Sequence, residues 1–202
     1  MGCFASVQVL PEPTCVADAV KRDSIMSVQS VPATAASAKY TLSAKFPLNE
    51  KEVFIVMRLW HDISRNMVDA GVVMFQRLFD TRNDVKIMFE KFRTVNKAEL
   101  YADAALENHA LLVMDAIDEA ICNLDDEIEV VDMLLCNGES HRRFENFSSD
   151  AFWAIEDPFL FAVKNTLADR ATPNVVDLFR RTIVYILQVL VKGYETELQT
   201  MC

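Results

Sequence analysis

The chain has 202 residues, 51% of them hydrophobic, with only 4 glycines and 6 prolines. That is enough apolar material to bury the core of one or two domains, and the shortage of helix breakers favours helices. A formal net charge of −10 with a pI near 4.8 excludes a broad nucleic-acid footprint, which needs a basic surface to meet phosphates.

Residues 1–47 carry little periodicity, and the stretch VPATAASAK is small-residue, proline-containing material that cannot bury a core, so this region reads as a disordered tail. It opens with MGCFAS, which fits the N-myristoylation pattern: Gly2 is the acceptor, Ser6 stands at the right offset, and Cys3 beside it is a candidate for palmitoylation. A single myristoyl chain holds a membrane only marginally, with a constant of about 10⁴ M⁻¹, and Cys3 can provide the second signal. The motif is short, and a chance MGC start is the alternative. The longest strongly apolar run, IVYILQVLV at 183–191, falls well short of a membrane span. Five cysteines, an odd number, argue against a closed disulfide framework.

From about residue 48 to 198 the chain reads as helix after helix, forming one domain followed by a short end at 199–202. LNEKEVFIVMRLWHDI places Val53, Val56, Met57 and Trp60 on one stripe, and AGVVMFQRLF repeats the pattern with Val72, Phe75, Leu78 and Phe79. YADAALENHALLVMDAIDEAI continues it. DDEIEVVDMLL is a shorter helix with acids at its start, followed by Asn137-Gly138 as a stop signal. The last helix opens with Thr172 as cap and Pro173 at its first position. In AFWAIEDPFLFAVKNTLA, Pro158 either begins a helix capped by Asp157 or kinks one that starts earlier. No strand, repeat or Gly-rich phosphate loop is visible, and no dedicated catalytic motif stands out.

Two histidines interrupt this ordinary pattern on faces that should be buried. His109 shares a stripe with Leu106, Val113, Ala116, Ile117 and Ala120, and His141 follows Leu134 by seven residues. Such a side chain is either a core histidine satisfied by a carbonyl or a ligand to something held inside. Zinc does not fit, because the CxxC and HxxxH spacings are absent around Cys136 and His141. His61 directly follows Trp60 and reads as a solvated surface residue.

Taken together in order and spacing, these residues resemble the globin family, most closely the neuroglobins and the fatty-acylated globin X group. Trp60 and Gly71 stand eleven positions apart, as the family's first-helix tryptophan and second-helix glycine do, and Phe75 follows at the distal-pocket aromatic. Phe89 in IMFEKF matches the phenylalanine that wedges against the haem, with Phe92 its companion. His109 and Val113 match the distal histidine and the valine above the haem. His141 matches the proximal histidine, 32 positions after His109 as in neuroglobin, and Phe152 matches a further pocket aromatic. Two departures accompany the match: Asn83 stands where a proline usually opens the third helix, and Pro158 sits inside the expected seventh.

The resemblance implies an all-α globin fold, a three-over-three helical sandwich around haem b, with His141 as proximal and His109 as distal iron ligand and Phe75, Phe89, Phe92, Val113 and Phe152 lining the pocket. It implies diatomic ligands such as O2, and Phe75, lacking a hydroxyl, gives bound oxygen no second donor. Two functions compete: bis-histidyl ligation serving one-electron transfer or redox and oxygen signalling, with superoxide production or nitrite reduction as side activities, and reversible oxygen binding by a pentacoordinate haem. A haem-free helical interaction module is the third reading. The acylation motif adds an expectation of cytoplasmic placement, tethered to the inner face of the plasma membrane, beside a redox partner.

Overall fold

The computed structural model describes residues 46–101 and 103–196, so the tail reading, Gly2, Cys3 and the end at 199–202 lie outside the described residues apart from Phe46 and Pro47. Nine α-helices run through the described residues: α1 Glu50–Ser64, α2 Met67–Thr81, α3 Asn83–Lys86, α4 Lys97–Tyr101, α5 Ala104–Cys122, α6 Glu127–Ser140, α7 Ser149–Trp153, α8 Glu156–Leu167 and α9 Pro173–Glu195. Helices α1, α5 and α6 pack across α2, α8 and α9, which is the three-over-three arrangement expected.

Local chemistry sets the starts. Asn49 opens α1 with a capping box: its Oδ1 accepts from the Lys51 and Glu52 amides at 3.1 Å, while Glu52 accepts from the Asn49 amide at 2.9 Å. Glu52 also takes a 2.7 Å bond from Arg181, tying the start of α1 to α9. Asp103 caps α5, Asp126 caps α6 and Thr172 caps α9 with Pro173 next, each accepting from a first-turn amide. The third helix forms without a proline because Arg82, just before it, grips Asp84 through two guanidinium nitrogens.

Two junctions depart from or resolve the sequence reading. Asn137-Gly138 is not a stop: α6 continues to Ser140 and tightens into a 3₁₀ turn at His141–Arg143. Gly138 is there for packing. A Cβ at Gly138 would lie 2.0 Å from the Leu190 carbonyl oxygen, and one at Gly193 would lie 2.2 Å from that of Leu135, so α6 and α9 cross backbone to backbone. Pro158 kinks nothing. The chain breaks at Ala154 and Ile155, α8 starts afresh at Glu156, and Pro158 falls in its first turn, where a missing amide costs no helical bond.

Candidate functional site

The distal side is assembled from α5, α2 and the irregular segment after α3. The His109 ring lies 5.1 Å from that of Phe75 and 5.0 Å from that of Phe89, both nearly perpendicular to it. Phe89 stacks on Phe92 at 5.7 Å, and both touch Phe79. Phe75 and Phe92 are buried; Phe89 and Val113 are half-buried against the same core. His109 is half-buried and forms no hydrogen bond among the described residues, so no backbone carbonyl holds it as one would hold a core histidine.

The proximal side is built where α6 ends. His141 Nδ1 lies 2.8 Å from the Asn137 carbonyl oxygen, one turn back. A carbonyl only accepts, so Nδ1 carries the proton and Nε2 presents its lone pair. The ring sits 4.9 Å from both Phe147 and Phe152 and 6.0 Å from Phe144. Because Gly138 presses α6 onto α9 three residues earlier, the helix crossing fixes where this ring stands.

Electrostatics favour the neutral form of both imidazoles. Burial pushes the His109 and His141 pKa values below the ordinary 6.5; the charge of His141 adds to the effect at His109, while Arg143 lowers His141 further and the Asn137 carbonyl opposes it. Two imidazoles set against aromatic walls, with the charge of one felt at the other, suit a flat apolar group with a metal ion at its centre. Among the described residues no cluster of three metal-ligating side chains exists. His61 is half-exposed beside Asp62, away from the site.

Of the residues expected at the site, Phe75, Phe89, Phe92 and His109 share ring contacts in one cluster and His141 and Phe152 in the other, while Val113 stands half-buried one turn after His109 on α5. Two further neighbours of these clusters, and one core acid elsewhere on α5, were not foreseen. Phe147 packs on His141 and on Phe152, at 4.8 Å. Tyr194, near the end of α9, places its ring against both phenylalanines and donates its hydroxyl to the Phe147 carbonyl at 2.8 Å, while Arg142 donates to the Tyr194 carbonyl at 2.6 Å. Asp118, further along α5, is the core acid: it is buried and bonded to Trp60. The FENF spacing of Phe144 and Phe147 was the one sequence signal for the first; nothing local marked the others.

The globin family model matches residues 72–190. Neuroglobin of Dissostichus mawsoni is 34% identical over 149 residues, covering 73% of this chain and 92% of that protein. Among solved structures, a hexacoordinated haem protein from an anhydrobiotic tardigrade superposes with a TM-score of 0.72 at 28% identity, covering 75% of this chain and 97% of its own. Haemoglobin of the botfly Gasterophilus intestinalis superposes at 0.67 with 16% identity, a likeness of fold alone, covering 74% and 100%. The histidine pair, its aromatic walls, the helical architecture and these matches agree: the chain belongs to the globin family.

Proposed function

We propose that the protein binds haem b with both axial positions filled by histidine, His141 from the proximal side and His109 from the distal side, and that it works by one-electron exchange or redox and oxygen signalling. The observation that carries this is His109: a half-buried imidazole whose pKa burial lowers, forming no hydrogen bond among the described residues and packed between Phe75 and Phe89. The residues present fit the group. Phe75, Phe89, Phe92, Val113 and Phe152 give the apolar walls a macrocycle needs, and Nε2 of His141 is the free donor. The likeness to the hexacoordinated tardigrade haem protein supports the same reading.

When bound, haem supplies an iron that alternates between the ferric and ferrous states. This chain's part is to hold the axial groups and to exclude water. The Asn137 carbonyl fixes the His141 ring and raises its basicity as a ligand; Phe147 and Phe152 stop it turning. Phe75 and Phe89 hold His109 near a single orientation, so little rearrangement accompanies a change of charge. With His109 held on the side where a diatomic ligand would approach, the arrangement favours redox exchange or sensing over bulk oxygen storage.

Acylation at Gly2 and Cys3 would place this activity at the inner face of the plasma membrane, next to a membrane redox partner. No helix among the described residues is long and apolar enough to cross a membrane, so attachment rests on lipid or surface contacts. Titration of the purified chain with haemin tests the cofactor assignment: saturation at one haemin per chain supports it, and absence of a saturable Soret change, or binding unaltered in His141→Ala, contradicts it.

A further inference from the structure

The outward face of α1 is unlike the rest of this acidic chain. Opposite its buried residues Val56, Trp60 and Ile63, the helix carries Lys51, Phe54, Ile55, Arg58 and, at its C-cap, Arg65, at spacings of three, four and seven that put them on one side. Phe54 is 63% exposed, the highest exposure among the aromatic side chains of the described residues, and Ile55 is 38% exposed. Lys51, Arg58 and Arg65 are exposed and take part in no salt bridge among the described residues, although Arg65 acts electrostatically on Asp62. Asp62 on this face is already neutralised by Arg170 of the neighbouring turn. Glu50 flanks the stripe.

We propose that this face of α1 is a membrane-docking surface, with Phe54 and Ile55 entering the interfacial layer and Lys51, Arg58 and Arg65 meeting anionic lipid headgroups. Cations alternating with an exposed aromatic on one side of a helix are the pattern of interfacial binding, and the charge is the opposite of the chain's net −10. α1 is the first helix of the described residues, beginning at Glu50 shortly after Phe46, on the side of the sequence that carries Gly2 and Cys3. The inference extends the membrane placement proposed above. It rests on a separate segment and needs no acyl chain.

The test uses the unacylated, full-length, haem-loaded chain, made in a host without an N-myristoyltransferase, and co-sedimentation with vesicles. Expected is binding to phosphatidylcholine vesicles containing 30% phosphatidylserine, weakening with added salt, and little binding to phosphatidylcholine alone. Each basic side chain removed should weaken it about fivefold. The triple variant Lys51→Ser, Arg58→Ser, Arg65→Ser should then bind about a hundredfold more weakly, and Phe54→Ser should weaken binding without altering its salt dependence. All four positions are exposed, and an unchanged thermal midpoint checks folding. If the unacylated wild type prefers anionic vesicles no more than neutral ones, or the triple variant binds equally well, the proposal is overturned and the face is better assigned to an acidic protein partner. A Gly2→Ala variant in an acylating host tests the tether separately: lost membrane association supports the acyl anchor, and unchanged association sinks the tether alone, the vesicle result deciding the α1 face in either case.

Discussion

Trp60 and Asp118 form a buried bond between the first helix and the helix that carries His109: the indole Nε1 donates to Asp118 Oδ1 at 2.7 Å, with both side chains almost fully inaccessible. The indole ring packs at the same time on Phe159 and Phe179, so one residue links α1, α5, α8 and α9. Replacing it by phenylalanine keeps most of the apolar contact and strands the carboxyl. Trp60→Phe should lose about 1–3 kcal/mol from that unpaired group, and the loss should shrink when Asp118→Leu is made with it. Chemical denaturation of the four proteins of the cycle measures this; purely additive losses would contradict the bond's role.

The same carboxyl makes a prediction about pH. Burial raises the Asp118 pKa above its ordinary 3.8; Trp60, the one group bonded to it from outside its helix, opposes the rise, and Asp115 on its own helix adds to it. A carboxyl with a raised folded-state pKa binds its proton more tightly when folded, so its contribution to stability falls as pH climbs from about 3.8 through the raised value. Asp118→Asn keeps an acceptor for the indole and removes the titration. Its stability relative to wild type should therefore increase from pH 4 to pH 7, read as a widening difference in unfolding midpoint. A difference independent of pH would mean that the group does not titrate in that range.

Glycines 71 and 138 predict an order of damage. A methyl at Gly138 meets the rigid Leu190 carbonyl at 2.0 Å, whereas at Gly71 the nearest atom, at 2.8 Å, is the flexible Met114 side chain, with Ala110 backbone behind it. Overpacking costs about 1–3 kcal/mol, and Gly138→Ala should sit at or beyond the upper end, Gly71→Ala well below it. Since Gly138 also sets the position of His141, its replacement should weaken haemin binding more than Gly71→Ala does. Equal thermal midpoints for the two variants would refute the ranking.

Tyr194 predicts an effect at a distance from the iron. Tyr194→Phe removes the hydroxyl that holds the Phe147 carbonyl, with an expected loss of about 1 kcal/mol. The ring it steadies packs on His141, so haemin dissociation into apomyoglobin should speed up, while Phe161→Leu on the exposed side of α8 leaves the rate unchanged. An unaltered dissociation rate in Tyr194→Phe would remove Phe147 and Tyr194 from the site.

What was legible in advance is what helical periodicity and spacing encode. Periodicity put His109 and His141 on faces that should be buried, and it was the order and spacing shared with the globin family that singled out both histidines and the aromatics at 75, 89, 92 and 152 as site candidates. Features decided by a partner far along the chain were not legible. Gly138 looks like a stop signal because its neighbour across the crossing, Leu190, is 52 positions away. Asp118, in MDAIDEA, reads as one more solvated acid beside Asp115, since only the indole of Trp60 makes its burial tolerable. Pro158 could not be resolved locally because the break at Ala154 and Ile155 depends on how α7 and α8 each pack, not on the proline.

The measurement that bears most directly on the account is the visible absorption spectrum of the haem-loaded protein, oxidised and then reduced with dithionite, for wild type and His109→Leu. Two axial imidazoles predict sharp, split bands in the reduced wild type that collapse to one broad band in the variant. A broad five-coordinate spectrum in the reduced wild type, unchanged by the substitution, would contradict ligation by His109 and leave oxygen binding at an open iron as the function.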